Sequence, residues 1–148
     1  MKTLYFEETI NAPVEKVYRS MLDKETFQKW TSEFNPTSRY EGSWEEGSKI
    51  LFLAEEENGN TMGMLSRIKE NRPHAFVSIE HLGIVENGKE ITDGEKVEAF
   101  AGALEEYTFV PKNGSTMIQV RMDTNLEWES YFKTTWPKAL EKLKHLVE

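Results

Sequence analysis

The chain contains no cysteine, so disulfides, thiolate nucleophiles and cysteine-ligated metals are excluded. Chemistry must come from histidines, carboxylates and hydroxyls. The three histidines are His74, His81 and His145. His74 falls in the turn Asn71-Arg72-Pro73-His74 and His145 near the end of a helix, so both are expected to face solvent. His81 lies inside a strand, two residues from Ile79 and therefore on the same face. It reads either as a buried neutral imidazole with one nitrogen satisfied, or as a group that touches a ligand or moves a proton. Its neighbour Glu80 points to the opposite face. No grouping of His, Asp and Glu has metal-ligand spacing, and neither a metal nor a cofactor is assigned.

Glu105 is the second candidate. It shares a strand face with Ala103, Tyr107 and Phe109. If that face is concave, a carboxylate sits in an apolar trough, where desolvation disfavours charge and functional groups concentrate. A one-residue slip would instead expose Glu105 and bury Glu106. Arg67 and Arg121 are candidate partners for it. The four tryptophans, Trp30, Trp44, Trp128 and Trp136, each combine a broad apolar face with one N–H donor, which suits a pocket wall as well as a core. Met62 and Met64 alternate around Gly63 and offer adaptable apolar surface. Serine and threonine lack a nucleophile elbow, no glycine-rich phosphate loop is present, and Asp93-Gly94 is a turn or cap signal.

The elements that must hold these residues follow from punctuation and period. Asn58-Gly59, Asn87-Gly88 and Asn113-Gly114 each end a β-like run and predict type I′ turns. Further turns at Glu46-Gly47 and at Asn71–His74 complete a set of antiparallel strands over 2–10, 38–44, 48–56, 60–71, 75–86, 103–110 and 115–123. Thr116, Ile118, Val120 and Met122 form one face of the last strand; Gln119, Arg121 and Asp123 form the other. Pro13 opens a short helix with Val14, Val17, Tyr18 and Met21 at helical spacing, and Asp23 caps a second over 24–30. Thr92 and Glu95 form a candidate capping box for a third helix, with Val97 and Phe100 facing inward and Gly102 as its stop. Thr124 and Glu127 do the same for a long final helix. Its stripe includes Trp128, Tyr131, Phe132, Trp136, Ala139, Leu140 and Leu143. Pro137 lies within it and predicts a kink.

At 148 residues the chain reads as one domain, 1–148, that buries roughly 70% of its unfolded surface. The net charge of −8, without a run of Lys and Arg, argues against nucleic acid. Glu55-Glu56-Glu57 reads as a solvated loop edge. No stretch approaches the roughly 20 apolar residues of a membrane span, and the N-terminus lacks the apolar core of a signal peptide. A cytoplasmic location is expected.

Six consecutive antiparallel strands need cover for an apolar face, and only the final helix is large enough to supply it. The expected fold is therefore α+β, a curved antiparallel sheet of about six to seven strands around a long C-terminal helix, with two short helices after the first strand. Ala12-Pro13-Val14-Glu15-Lys16-Val17-Tyr18, then Lys29-Trp30, then Gly42-Ser43-Trp44-Glu45-Glu46-Gly47 resemble the opening of START-like (SRPBCC) domains. The nearest branch is named for the activator of heat-shock-protein-90 ATPase. Gly102-Ala103-Leu104-Glu105-Glu106-Tyr107-Thr108-Phe109, Gly114-Ser115-Thr116 and Trp136-Pro137-Lys138-Ala139-Leu140-Glu141-Lys142-Leu143 resemble its ending. The resemblance covers nearly the whole chain and implies the helix-grip fold with a cavity for a lipid-like or aromatic molecule.

The leading expectation is a binding module for a hydrophobic or aromatic small molecule. Trp44, Met62, Met64, Tyr107, Trp128, Phe132 and Trp136 are wall candidates, Glu105 and His81 supply polar contacts, and Phe100 belongs to a lid. Two alternatives are a cyclase or dehydratase acting on a polyketide-like substrate through Glu105 or His81, and a co-chaperone or stress-related interaction module with an exposed apolar patch.

Overall fold

The computed structural model describes residues 1–148. Eight strands form a single antiparallel sheet. They are β1 (Lys2–Ile10), β2 (Arg39–Gly42), β3 (Lys49–Glu55), β4 (Thr61–Arg72), β5 (Phe76–Glu86), β6 (Lys89–Ile91), β7 (Leu104–Lys112) and β8 (Ser115–Thr124). The order is β1-β8-β7-β5-β4-β3-β2, with β6 beside β5. Helices α1 (Val14–Leu22) and α2 (Lys24–Thr31) follow β1, α3 (Glu95–Glu98) lies between β6 and β7, and α4 (Glu129–Val147) closes the chain.

Alternation sets the two faces. In β8, Thr116, Ile118, Val120 and Met122 are buried beneath the helices. In β7, Tyr107 and Phe109 join them, and pairing Tyr107 with Val120 and Phe109 with Ile118 keeps all four on one face. Helix α4 lays Trp136, Ala139, Leu140, Leu143 and Val147 into this trough and continues through Pro137, whose ring removes one backbone donor. Helices α1 and α2 contribute Val17, Met21, Leu22, Phe27 and Trp30 to the same core. Side-chain donors bind the chain between these helices to its surroundings: Trp30 Nε1 donates to the Met21 carbonyl at 3.0 Å, and the Tyr40 hydroxyl to that of Leu22 at 2.7 Å.

Several local expectations are corrected. Strand β6 is additional; its three residues are too few to display a period. Asn87 and Asn113 have positive φ, as type I′ turns require, but Asn58 does not. Helix α3 is a single turn that begins after Gly94 without a side-chain cap, so Thr92 and Glu95 form no box. The box at Thr124 and Glu127 is replaced by Asn125, whose side chain accepts from Trp128 N at 3.1 Å. That bond caps a 3-10 turn, Leu126–Trp128, which precedes α4. Trp128 therefore lies before the long helix and is half exposed.

Candidate functional site

A cavity of about 830 Å³ opens between the concave face and α4. Its deep wall is aromatic. Trp136 is buried and contacts four rings: Phe34 at 5.1 Å between centroids, Trp30 at 5.7 Å, Phe6 at 6.1 Å and Tyr107 at 6.2 Å. Phe52, Met64, Ile84, Met122 and Phe132 extend the apolar lining. Met62, Trp128 and Tyr131 are exposed at its mouth. Phe100 and Lys96, from the segment around α3, complete the rim, where Lys96 pairs with Glu86 at 3.1 Å.

One region of the wall is polar, and strand irregularity creates it. Between Leu65 and Ser66 the β4–β5 register shifts, so Leu65 faces Gly83 while Ser66 faces His81. Leu82 is the extra residue of this bulge. The shift keeps His81 on the concave face opposite Ser66, and Ser66 Oγ lies 2.8 Å from His81 Nδ1. Adjacent β7 brings Glu105 alongside. Its Oε1 is 3.7 Å from His81 Nε2, and its Oε2 accepts from the Tyr107 hydroxyl. Burial above all, then the charge of Glu105 and the bond to it, raise the Tyr107 pKa well above 10.0. Tyr107 therefore remains a proton donor to Glu105 at neutral pH.

Asp123 borders the same region. Burial opposes its ionisation, but the Leu104 N–H, the Thr3 hydroxyl, Arg121 and His81 together outweigh that and lower its pKa below 3.8. The carboxylate accepts from Thr3 at 2.7 Å and from Leu104 N at 3.0 Å. Arg121 approaches Asp123 at 3.3 Å and Glu106 at 3.8 Å, while Arg67 pairs with Glu80 at 2.7 Å. Neither arginine meets Glu105. Both stand at strand positions of the opposite parity, on the convex face, together with Glu106, which accepts from Ser78.

Met62, Met64, His81, Phe100, Glu105, Tyr107, Trp128, Phe132 and Trp136 thus line one cavity. Trp44 does not. It packs against Tyr40, Phe52 and Phe27 at centroid distances of 5.4, 5.7 and 6.2 Å, where α2 covers the short β2 edge. Phe34, Asn125 and Ser66 were not distinguishable as site residues in the sequence. Phe34 follows α2 in a segment without periodicity, and the role of Ser66 depends on the bulge. No three His, Asp or Glu side chains gather where they could hold a metal ion.

Solved structures share this architecture. A Mesorhizobium loti protein aligns with 16% identity and a TM-score of 0.72, covering 98% of this chain and 96% of its own. A Nitrosomonas europaea protein aligns with 17% identity and a TM-score of 0.74, over 97% and 92% respectively. The Aha1 dimer of Colwellia psychrerythraea aligns with 19% identity and a TM-score of 0.70, over 100% and 97%. At these identities the likeness establishes the fold alone. No curated protein matches the chain. The family model for activator of Hsp90 ATPase homolog 1-like proteins matches residues 11–148. With nearly the whole chain matched and its helix-grip architecture in place, the chain belongs to the activator of Hsp90 ATPase homolog 1-like family.

Proposed function

We propose that the protein binds a hydrophobic or aromatic small molecule between the concave sheet and α4. The observation that carries this reading is the aromatic-walled cavity of about 830 Å³. Its size falls within the roughly 300–1,000 Å³ of small-molecule sites, and so does its pattern of apolar walls with a few polar groups. Membership of a fold family whose members commonly bind hydrophobic ligands adds support. Trp136, Tyr107, Phe132 and Met64 supply apolar contact, His81 and Glu105 orient the ligand, and Trp128, Met62 and Phe100 frame its entry.

A nitrogen–proton NMR titration with fatty acids, sterols, flavonoids and polyketide-like aromatics tests this. The indole signals of Trp128 at the mouth and Trp136 on the deep wall should shift saturably together for one chemical class, while Trp44 responds least. Shifts confined to the convex face, or no saturable shift for any class, would overturn the reading. A second reading, acid–base chemistry on a bound polyketide-like substrate, is favoured by His81 and Glu105 at 3.7 Å in the same cavity. It requires turnover that disappears when both are substituted.

A further inference from the structure

We infer that the gap between His81 Nε2 and Glu105 Oε1 is a receptor for one neutral hydroxyl group, so that the ligand is a hydroxylated aromatic inserted hydroxyl-first. This rests on the binding reading above and narrows its chemistry. The argument is one of hydrogen-bond accounting. Ser66 is fully buried, and its hydroxyl has a single side-chain partner, His81 Nδ1 at 2.8 Å. A buried hydroxyl needs an acceptor. If Nδ1 carried the proton, the Ser66 O–H would have none. Ser66 therefore donates to Nδ1, and the proton of the neutral ring resides on Nε2. That nitrogen faces Glu105.

At 3.7 Å the Nε2–H and Oε1 are too far apart for a good hydrogen bond to each other. Tyr107 engages the other carboxylate oxygen, Oε2, and Oε1 has no hydrogen-bond partner. A donor and an acceptor thus stand side by side, both unengaged, on the wall of an aromatic cavity. One oxygen with two bonds of about 2.8 Å spans such a gap, accepting from Nε2–H and donating to Oε1. A hydroxyl satisfies both partners. An ether oxygen can only accept, and a carboxylate would face Glu105 with no unpaired lysine or arginine on this part of the lining, because Arg121 is committed on the convex face and Lys96 is paired at the rim.

The experiment compares 2-naphthol, 2-methoxynaphthalene and 2-naphthoate by calorimetry and NMR with the full chain. The expected order is 2-naphthol tighter than its methyl ether by about tenfold or more, since the lost bond is to a charged acceptor, with 2-naphthoate no tighter than the ether. In Glu105→Gln, where the amide oxygen retains the Tyr107 bond and an N–H₂ donor faces the gap, the preference for 2-naphthol should fall below about threefold while the ether still binds. Imidazole nitrogen shifts should place the His81 proton on Nε2 in the unliganded protein. Equal binding of naphthol and ether, a naphthoate preference, or a proton on Nδ1 would overturn the inference and leave the binding reading standing. Failure of all three probes to shift the Trp136 indole would overturn both.

Discussion

Replacing Tyr107 with Phe and Glu105 with Ala, singly and together, measures the bond that fixes the carboxylate in the cavity wall. Tyr107 is 1% exposed, and its hydroxyl donates to Glu105 Oε2. A hydrogen bond to a charged group contributes about 1.5–3 kcal/mol. The Glu105 side chain is 19% exposed, and water in the cavity screens it, which moves the expected coupling to the lower end, about 1.5 kcal/mol. Each single variant should lose at least that much, and the double variant should lose less than the sum, the difference being the coupling. Urea unfolding followed by tryptophan fluorescence supplies the four stabilities, and an unchanged m-value confirms that compactness is preserved. A coupling within about 0.5 kcal/mol of zero is indistinguishable from additivity. It would refute the picture of Oε2 held by Tyr107 and of Oε1 left open for a ligand.

Other outcomes follow from the same structure. Because the folded pKa of Tyr107 is raised well above 10.0, its contribution is complete below pH 10 and is lost as pH rises through the folded value; alkaline unfolding of the wild type should steepen above pH 10 by up to about 1.4 kcal/mol per pH unit, and Tyr107→Phe should remove that component. Asp123 has the opposite sign. Its folded pKa lies below 3.8, so its contribution is present above 3.8 and is lost as pH falls through the lower folded value. Asp123→Asn should therefore be less stable than wild type at pH 7, with the two curves converging in acid, as read by circular dichroism. Gly63→Ala would place a Cβ 1.8 Å from the Phe52 carbonyl oxygen, forcing β3 and β4 apart; a loss on the order of 3 kcal/mol is expected, and a melting temperature equal to wild type would contradict the close approach.

Much of the fold was legible in the linear pattern because it depends on local chemistry. Asn-Gly pairs at 87–88 and 113–114 take the positive φ that their own chemistry favours, although Asn58 in a third such pair does not, and the alternation of Thr116, Ile118, Val120 and Met122 makes sense only as a strand with one buried face. The helical stripe from Trp136 to Leu143 likewise identifies its own partner surface. The parity of β7 also placed Glu105 with Tyr107 on the face that turned out to be concave. What the sequence could not reveal was decided between strands. The bulge at Leu82 exists only in the pairing of β5 with β4, and it is the bulge that sets Ser66 opposite His81. Arg67 and Arg121 resembled partners for Glu105 by charge alone, yet strand parity sends both to the convex face. Trp44 has the composition of a pocket wall, but the packing of α2 over the short β2 edge holds it, half-buried, against the core instead of the cavity. Residue type and spacing determined which side chains were available for a site; the meeting of two or three strands, each with its own register, determined which polar atoms were left without partners inside it.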